Sequence, residues 1–81
     1  MILRYSYVAG HQLAALSHAD RKRIIEKLVF YCSQSNPLQY ALYITTKDSY
    51  RFRVGHYRLF FEVINDVIWV NEVVRRDKAY D

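Results

Sequence analysis

The chain has 81 residues, which is enough for one domain spanning residues 1–81 and too few for a second. Twelve Lys and Arg against eight Asp and Glu give a net charge of +4, and 52% of the residues are apolar, too many for a disordered protein. A single cysteine, Cys32, excludes an internal disulfide and a cysteine-based metal site. No apolar run is long enough to span a membrane and no signal-peptide pattern is present, so we expect a cytoplasmic protein.

The pattern of the N-terminal half predicts a strand followed by two helices. Alternating apolar and polar residues predict a strand over residues 2–7, and a short helix is expected near residues 9–16. Ser17, with an acid three positions later, predicts the start of a second helix over residues 18–34, which ends before Pro37. The spacing of this helix places one apolar stripe toward the core: Ile24, Leu28, Tyr31 and Cys32.

The pattern of the C-terminal half predicts a meander of three antiparallel strands. Residues 38–48 predict either a loop or a short extended piece. Beyond them, alternation begins at Tyr50, and Gly55-His56 has the form of a two-residue type II′ turn. Asn65-Asp66 is the next turn, so two strands follow, from Tyr57 to Ile64 and from Val67 to Val74.

These two turns predict the register of the meander and the residues on each of its faces. Arg53 should pair with Arg58, Arg51 with Phe60, Val54 with Tyr57, Ile64 with Val67, Glu62 with Trp69, and Phe60 with Asn71. The predicted core face is Phe52, Val54, Leu59, Phe61, Val63, Ile68, Val70 and Val74. The predicted opposite face is Arg51, Arg53, Arg58, Phe60, Glu62, Trp69, Asn71 and Val73. Strict alternation puts Arg76 on the core face, unless a bulge or the end of the strand redirects it.

A basic stripe lies on the predicted opposite face. Residues 47–58 carry Lys47, Arg51, Arg53 and Arg58 against the single acid Asp48. Two Arg directly opposite each other repel, which favours a site for an anion between them, although a solvated cationic face is the alternative. Phe60 and Trp69 on the same face suit either base stacking or contact with a partner protein.

Two segments, YRFRVGHYRLFFEV and RRDKAY, resemble the RelE/ParE superfamily of type II toxins. The residues at matching positions are Arg51, Arg53, Gly55, Tyr57, Arg58, Arg76 and Tyr80. The resemblance implies a RelE-like α+β fold in which a twisted antiparallel sheet carries two N-terminal helices packed on one face. Arg75-Arg76-Asp77 departs from the more usual His-Arg-Lys of the family.

The resemblance also implies a function. RelE-type members cut mRNA in the ribosomal A site, where the 2′-hydroxyl of a nucleotide attacks the adjacent phosphate. Carried over by position, the catalytic residues are Arg53, Arg58, Arg76 and Tyr80, and the RNA-binding residues are Lys47, Arg51 and Arg75. Neither a metal nor a cofactor is implied.

The implied partners are the ribosome with its mRNA and a cognate antitoxin. The antitoxin is expected to be acidic and partly helical, and to cover Phe60 and Trp69. Two alternatives remain open. The chain could be a ParE-like inhibitor of DNA gyrase, or a non-catalytic relative that only binds its antitoxin.

Overall fold

The computed structural model describes residues 1–76, which form an α+β fold as predicted. The elements follow in the order β1 (Ile2–Tyr5), α1 (Tyr7–Ala14), α2 (His18–Ser33), a 3₁₀ turn (Pro37–Tyr40), β2 (Leu42–Ile44), β3 (Ser49–Val54), β4 (Tyr57–Ile64) and β5 (Val67–Arg75). The five strands form one sheet in the order β1-β5-β4-β3-β2.

Serine caps determine where the two helices begin. Ser6 Oγ accepts a hydrogen bond from the Ala9 amide at 3.0 Å, so α1 starts two residues earlier than predicted. Ser17 Oγ accepts from the Asp20 amide at 3.2 Å and starts α2 at the predicted position. Neither of these helices, nor any other within residues 1–76, has the length and apolarity needed to cross a membrane.

Both helices pack on the same face of the sheet and share one apolar core. The predicted stripe of α2 is buried in this core, beside Ala9 and Leu13 of α1. Tyr31 stacks on Phe52 with ring centroids 4.7 Å apart, and Phe52 stacks on Phe61 at 4.2 Å. This stack joins α2 to the two central strands, and it adds aromatic packing to the area buried by each ring.

The two hairpin turns have the predicted lengths. Gly55 has φ 57° and His56 does not have a positive φ, as a type II′ turn requires. Asn65 and Asp66 have φ 50° and 65°, which is the pattern of a type I′ turn. The predicted pairing of the strands next to both turns is therefore confirmed.

The sheet is mixed, not purely antiparallel as predicted. β1 pairs with β5 in parallel, from Ile2 opposite Val67 to Tyr5 opposite Val70. Parallel neighbours need a long crossover, and here α1, α2 and the other three strands lie between the paired strands in the chain. The predicted strand over residues 2–7 ends at Tyr5 because Ser6 caps α1.

The pairing of β4 with β5 contains a bulge. Phe61 lies opposite Val70 and Phe60 lies opposite Glu72, so Asn71 is an extra residue on β5. The predicted Phe60–Asn71 pair is wrong for this reason. Beyond the bulge, each side chain of β5 lies on the face opposite to the predicted one. Val73 is therefore in the core, at 6% exposure, in place of the predicted Val74.

Side chains from the N-terminal segment form hydrogen bonds with backbone groups on the outer edge of β5, next to the bulge. β1 ends opposite Val70, and beyond this point Ser6 Oγ donates to the Asn71 carbonyl at 3.0 Å. Gln12 Oε1 accepts from the Val73 amide at 2.5 Å. Helix α1 therefore takes the place of a neighbouring strand along this edge, where unpaired backbone groups would be costly.

Gln12→Met should destabilise the protein by about 1–3 kcal/mol, because it keeps the side-chain length but leaves the Val73 amide without its acceptor. The free energy of unfolding in urea at pH 7 measures this loss. Gln39→Met, at an exposed position of the 3₁₀ turn, is the matched control and should change the stability by no more than about 0.5 kcal/mol. Equal effects of the two substitutions would show that the bond to the bulge does not contribute.

Candidate nucleic-acid interface

The sheet face that no helix covers, called here the open face, carries a pair of arginines. Strand alternation places Arg53 of β3 and Arg58 of β4 on this face, and the two residues are directly opposite each other. Arg53 is exposed and Arg58 is half-buried. Cross-strand neighbours lie about 4.5–5.5 Å apart, so the two positive charges repel and an anion bound between them would relieve that repulsion.

A second row of residues crosses the open face next to this pair. Arg51, Phe60 and Glu72 lie opposite one another on β3, β4 and β5. Lys47 Nζ lies 4.5 Å from the centroid of the Phe60 ring and 3.9 Å from Glu72 Oε1. The fold thus brings together four of the predicted site residues: Lys47, Arg51, Arg53 and Arg58.

The two aromatic residues of the open face differ from the prediction in one respect. Phe60 is only 3% exposed, so the expectation of an exposed ring is wrong at this position. Its burial is separate from the helix-covered core, and Lys47 covers the ring. Trp69 is half-buried opposite Glu62, as the register predicted, and remains accessible for a partner.

The two arginines at and just beyond the end of β5 have different surroundings. Arg75 lies opposite Tyr57, and its guanidinium carbon is 5.8 Å from the centroid of the Tyr57 ring, on the side of the helices. The structure therefore does not bring Arg75 to the other predicted RNA-binding residues. Arg76 is exposed and follows the last residue of β5, so strand alternation does not assign it to either face.

Arg76 is also held close to the hairpin that carries the arginine pair. Its amide donates to the His56 carbonyl at 2.6 Å, so the end of β5 is attached to the turn between β3 and β4. His56 itself is exposed in this turn. Tyr80, one of the predicted catalytic residues, lies outside the described residues.

The first turn of α2 supports the same hairpin from the other side of the sheet. The Tyr57 hydroxyl donates to Asp20 Oδ2 at 2.9 Å, and this bond raises the pKa of Tyr57 above its ordinary value. Arg23 lies within 3.9 Å of Asp20, and a Cβ atom at Gly55 would be 3.4 Å from Arg23 Nη1. Sequence reasoning used Asp20 only as part of a helix cap, since nothing local connects positions 20 and 57.

Comparison with known proteins gives one clear result. No protein-family model matches the chain, and no curated protein matches it with significance. The fold matches a chain of the archaeal RelE–RelB complex from Pyrococcus horikoshii OT3, with TM-score 0.72 and 23% identity over 96% of this chain and 97% of that one. It also matches a chain of the intact E. coli RelBE toxin–antitoxin complex, with TM-score 0.74 and 23% identity over 99% and 98%. The chain has a RelE-like fold. At this identity the likeness establishes the architecture, and the predicted resemblance is confirmed at that level.

The chemistry available on this RelE-like scaffold is the binding and stabilisation of negative charge. The guanidinium groups of Arg51, Arg53 and Arg58 lie on neighbouring positions of two paired strands. Each carries a positive charge and offers a planar fork of N–H donors that fits phosphate oxygens. Within residues 1–76, no three His, Cys, Asp or Glu side chains form a group that could hold a metal ion.

Tyr57→Phe should lower the free energy of unfolding at pH 7 by roughly 1–3 kcal/mol, because it removes a hydrogen bond to a carboxylate. The raised pKa means that the folded state favours the neutral phenol. This stabilisation is present below the ordinary pKa of about 10 and is lost as the pH rises through the higher folded value.

Urea unfolding of the wild type and the variant at pH 7 and at pH 10.5 measures both effects. The difference between the two proteins should shrink at the higher pH. Tyr7→Phe is the control, since Tyr7 is 82% exposed and should show no difference at either pH. A difference that stays constant with pH would contradict a role for the phenolic proton.

Proposed function

We propose that this protein is the toxin of a type II toxin–antitoxin system and cleaves mRNA on the ribosome. The observation that carries the proposal is the cross-strand pair Arg53–Arg58 on the open face of a RelE-like fold. Two adjacent guanidinium groups without a helix over them form a site for one phosphate of an RNA backbone.

The proposed reaction is an internal transesterification. The 2′-hydroxyl oxygen of one nucleotide attacks the adjacent phosphorus, and the bond from phosphorus to the 5′-oxygen of the next nucleotide breaks. The products are a 2′,3′-cyclic phosphate and a 5′-hydroxyl end, so the proton lost by the 2′-oxygen is balanced by the one gained at the 5′-oxygen. A base, a group that stabilises charge and a proton source are therefore needed.

The residues divide these tasks as follows. Arg53 and Arg58 hold the phosphate and stabilise the extra negative charge that develops in the transition state, with Arg51 beside them. Arg76, attached to the same hairpin through His56, adds a further positive charge. Tyr80 is the candidate base by resemblance. An unperturbed phenol, with a pKa of about 10, is a weak base at pH 7, and nearby guanidinium groups would lower that pKa.

Arg58→Ala should reduce the cleavage rate by about 30- to 1,000-fold, which corresponds to the loss of about 2–4 kcal/mol of transition-state stabilisation. Arg58→Lys keeps the charge without the fork and should fall between the wild type and Arg58→Ala. Primer extension on translating ribosomes, with each purified protein at saturating concentration, measures the rates.

Arg4→Ala is the matched control, because Arg4 is exposed opposite Trp69 on the same face but at the far edge of the sheet. This substitution removes the same charge, and the variant should have a cleavage rate within a few-fold of the wild-type rate. Cleavage that does not depend on the ribosome, or equal losses in the two Ala variants, would contradict the assignment. Inhibition of DNA gyrase without any cleavage would favour the ParE-like alternative.

We further propose that an acidic, partly helical antitoxin covers the open face. At the end opposite the arginine pair, Ile2, Ile64 and Val67 form one row across three strands, and Trp69 lies in the next row. Ile2 and Ile64 are 49% and 48% exposed, which leaves an apolar area suited to a partner's apolar residues. Acidic residues of the same partner would then reach the arginine pair.

Trp69→Ala should weaken binding of the protein encoded by the neighbouring gene by about 30-fold or more, as expected for a central aromatic contact. Isothermal titration of the two purified proteins measures this. Tyr7→Ala removes an exposed aromatic ring of α1 and serves as the control with unchanged affinity. The reverse pattern would place the interface over the helices instead.

A further inference from the structure

A cavity of about 430 Å³ lies on the open face, one row of residues away from the arginine pair. Phe60, opposite Arg51 and two positions from Arg58, forms part of its wall, with Lys47, Glu62, Asn71 and Glu72 around it. Two residues along a strand span about 7 Å. In a nucleotide the ribose separates the phosphate from the base by a similar length, so a phosphate held by Arg53 and Arg58 would place a neighbouring base at this cavity.

The charge of the cavity differs from that of its surroundings. Three of the chain's eight acids line it, namely Asp48, Glu62 and Glu72, although the chain as a whole carries +4. Carboxylates repel phosphate, and in the described residues they do not form a group that could hold a metal ion. The cavity therefore suits an uncharged group with N–H donors, beside a positive site for phosphate.

The aromatic wall of the cavity can become accessible to a ligand. Lys47 covers the Phe60 ring from 4.5 Å and lies at a long distance, 3.9 Å, from Glu72. Both charged side chains are partly exposed, at 37% and 43%. Contacts of this kind are weak, whereas stacking of a base on an aromatic ring is stronger. An incoming base can therefore displace the Lys47 ammonium group from the ring.

The polar groups of the cavity indicate which base fits. Asn71 Nδ2 donates to Glu62 Oε1 at 2.7 Å and orients the carboxylate. The side-chain amide of Asn71 lies beside Glu62 at the bulge, where Asn71 is the extra residue of β5. A carboxylate can accept two parallel N–H groups at once. Guanine presents such a pair, N1–H and the N2 amino group, next to an oxygen that can accept from Lys47 or Asn71. Adenine would instead direct a ring lone pair at the carboxylate.

We propose that this cavity binds the base of a nucleotide next to the scissile phosphate and that Glu62 makes the protein prefer guanine there. This inference rests on the proposed mRNA cleavage. Glu62 is a specificity residue and takes no part in the bond-breaking step.

The test compares ribosome-bound mRNAs that carry guanine or inosine at each nucleotide flanking the cleaved bond, since inosine lacks only the N2 amino group. Wild-type protein should cleave the guanine mRNA roughly 5- to 100-fold faster at one of the two positions. Glu62→Gln should bring this ratio close to one, because it slows cleavage of the guanine mRNA more than cleavage of the inosine mRNA. Glu26→Gln, which removes the same charge from an exposed position of α2, should keep the wild-type ratio.

The outcomes separate the two proposals. If the wild type cleaves and Glu62→Gln keeps the guanine–inosine ratio, the base site is wrong and the proposed function stands. If the wild type cleaves both mRNAs at equal rates, the base site is again wrong. If the wild type cleaves no ribosome-bound mRNA, both proposals fail. Because Glu62 is exposed, its variant should unfold at the wild-type urea concentration, and this measurement excludes a folding defect as the cause of any change.

Discussion

The single extra residue in β5 determines which side chains reach each side of the sheet. Because Asn71 has no partner on β4, Val73 enters the core and Val74 faces the opposite way. The same shift puts Glu72 beside Phe60 on the open face and turns Arg75 toward Tyr57. On the outer edge of β5, where β1 has ended, Ser6 and Gln12 form hydrogen bonds with backbone groups of Asn71 and Val73. These two polar side chains therefore support the bulged segment whose side chains form the acidic part of the open face.

The hairpin that carries the arginine pair is held at two places, on its helix-covered face and at its turn. On one face, Tyr57 packs in the core and donates to Asp20 at the start of α2. At its tip, the His56 carbonyl accepts from the Arg76 amide. A turn restrained in this way keeps Arg53 and Arg58 opposite each other in spite of their repulsion, and a site that binds phosphate benefits when its charges are already in place.

Local signals in the sequence were sufficient for the elements that depend on near neighbours. The spacing of Ile24 and Leu28 predicted the buried side of α2, since one helical period repeats along it. Gly55-His56 and Asn65-Asp66 predicted both turns, and a two-residue turn leaves one register for the strands beside it. The arginine pair, which is the centre of the candidate site, followed directly from the first of these turns.

The features that were not predicted depend on residues far apart in the chain. The bulged segment forms hydrogen bonds with Ser6 and Gln12, and no pattern near Asn71 indicates these partners. The parallel pairing of β1 joins Ile2 to Val67, and alternation within a strand carries no information about its partner or direction. Phe60 is buried beside Lys47, which comes from a turn whose sequence indicated only loop or extended chain. Tertiary contacts decide all three.

The parallel contact between β1 and β5 also bears on synthesis of the protein. Ile2 and Val67 are more than sixty residues apart in the chain, so this edge of the sheet cannot close until β5 has left the ribosomal exit tunnel. The hydrogen bonds of the bulged segment with Ser6 and Gln12 also cannot form before β5 has left the tunnel. A nascent chain can form α2 and the hairpin of β3 and β4 earlier, but the arrangement of the open face is completed only when almost all of residues 1–76 have been made.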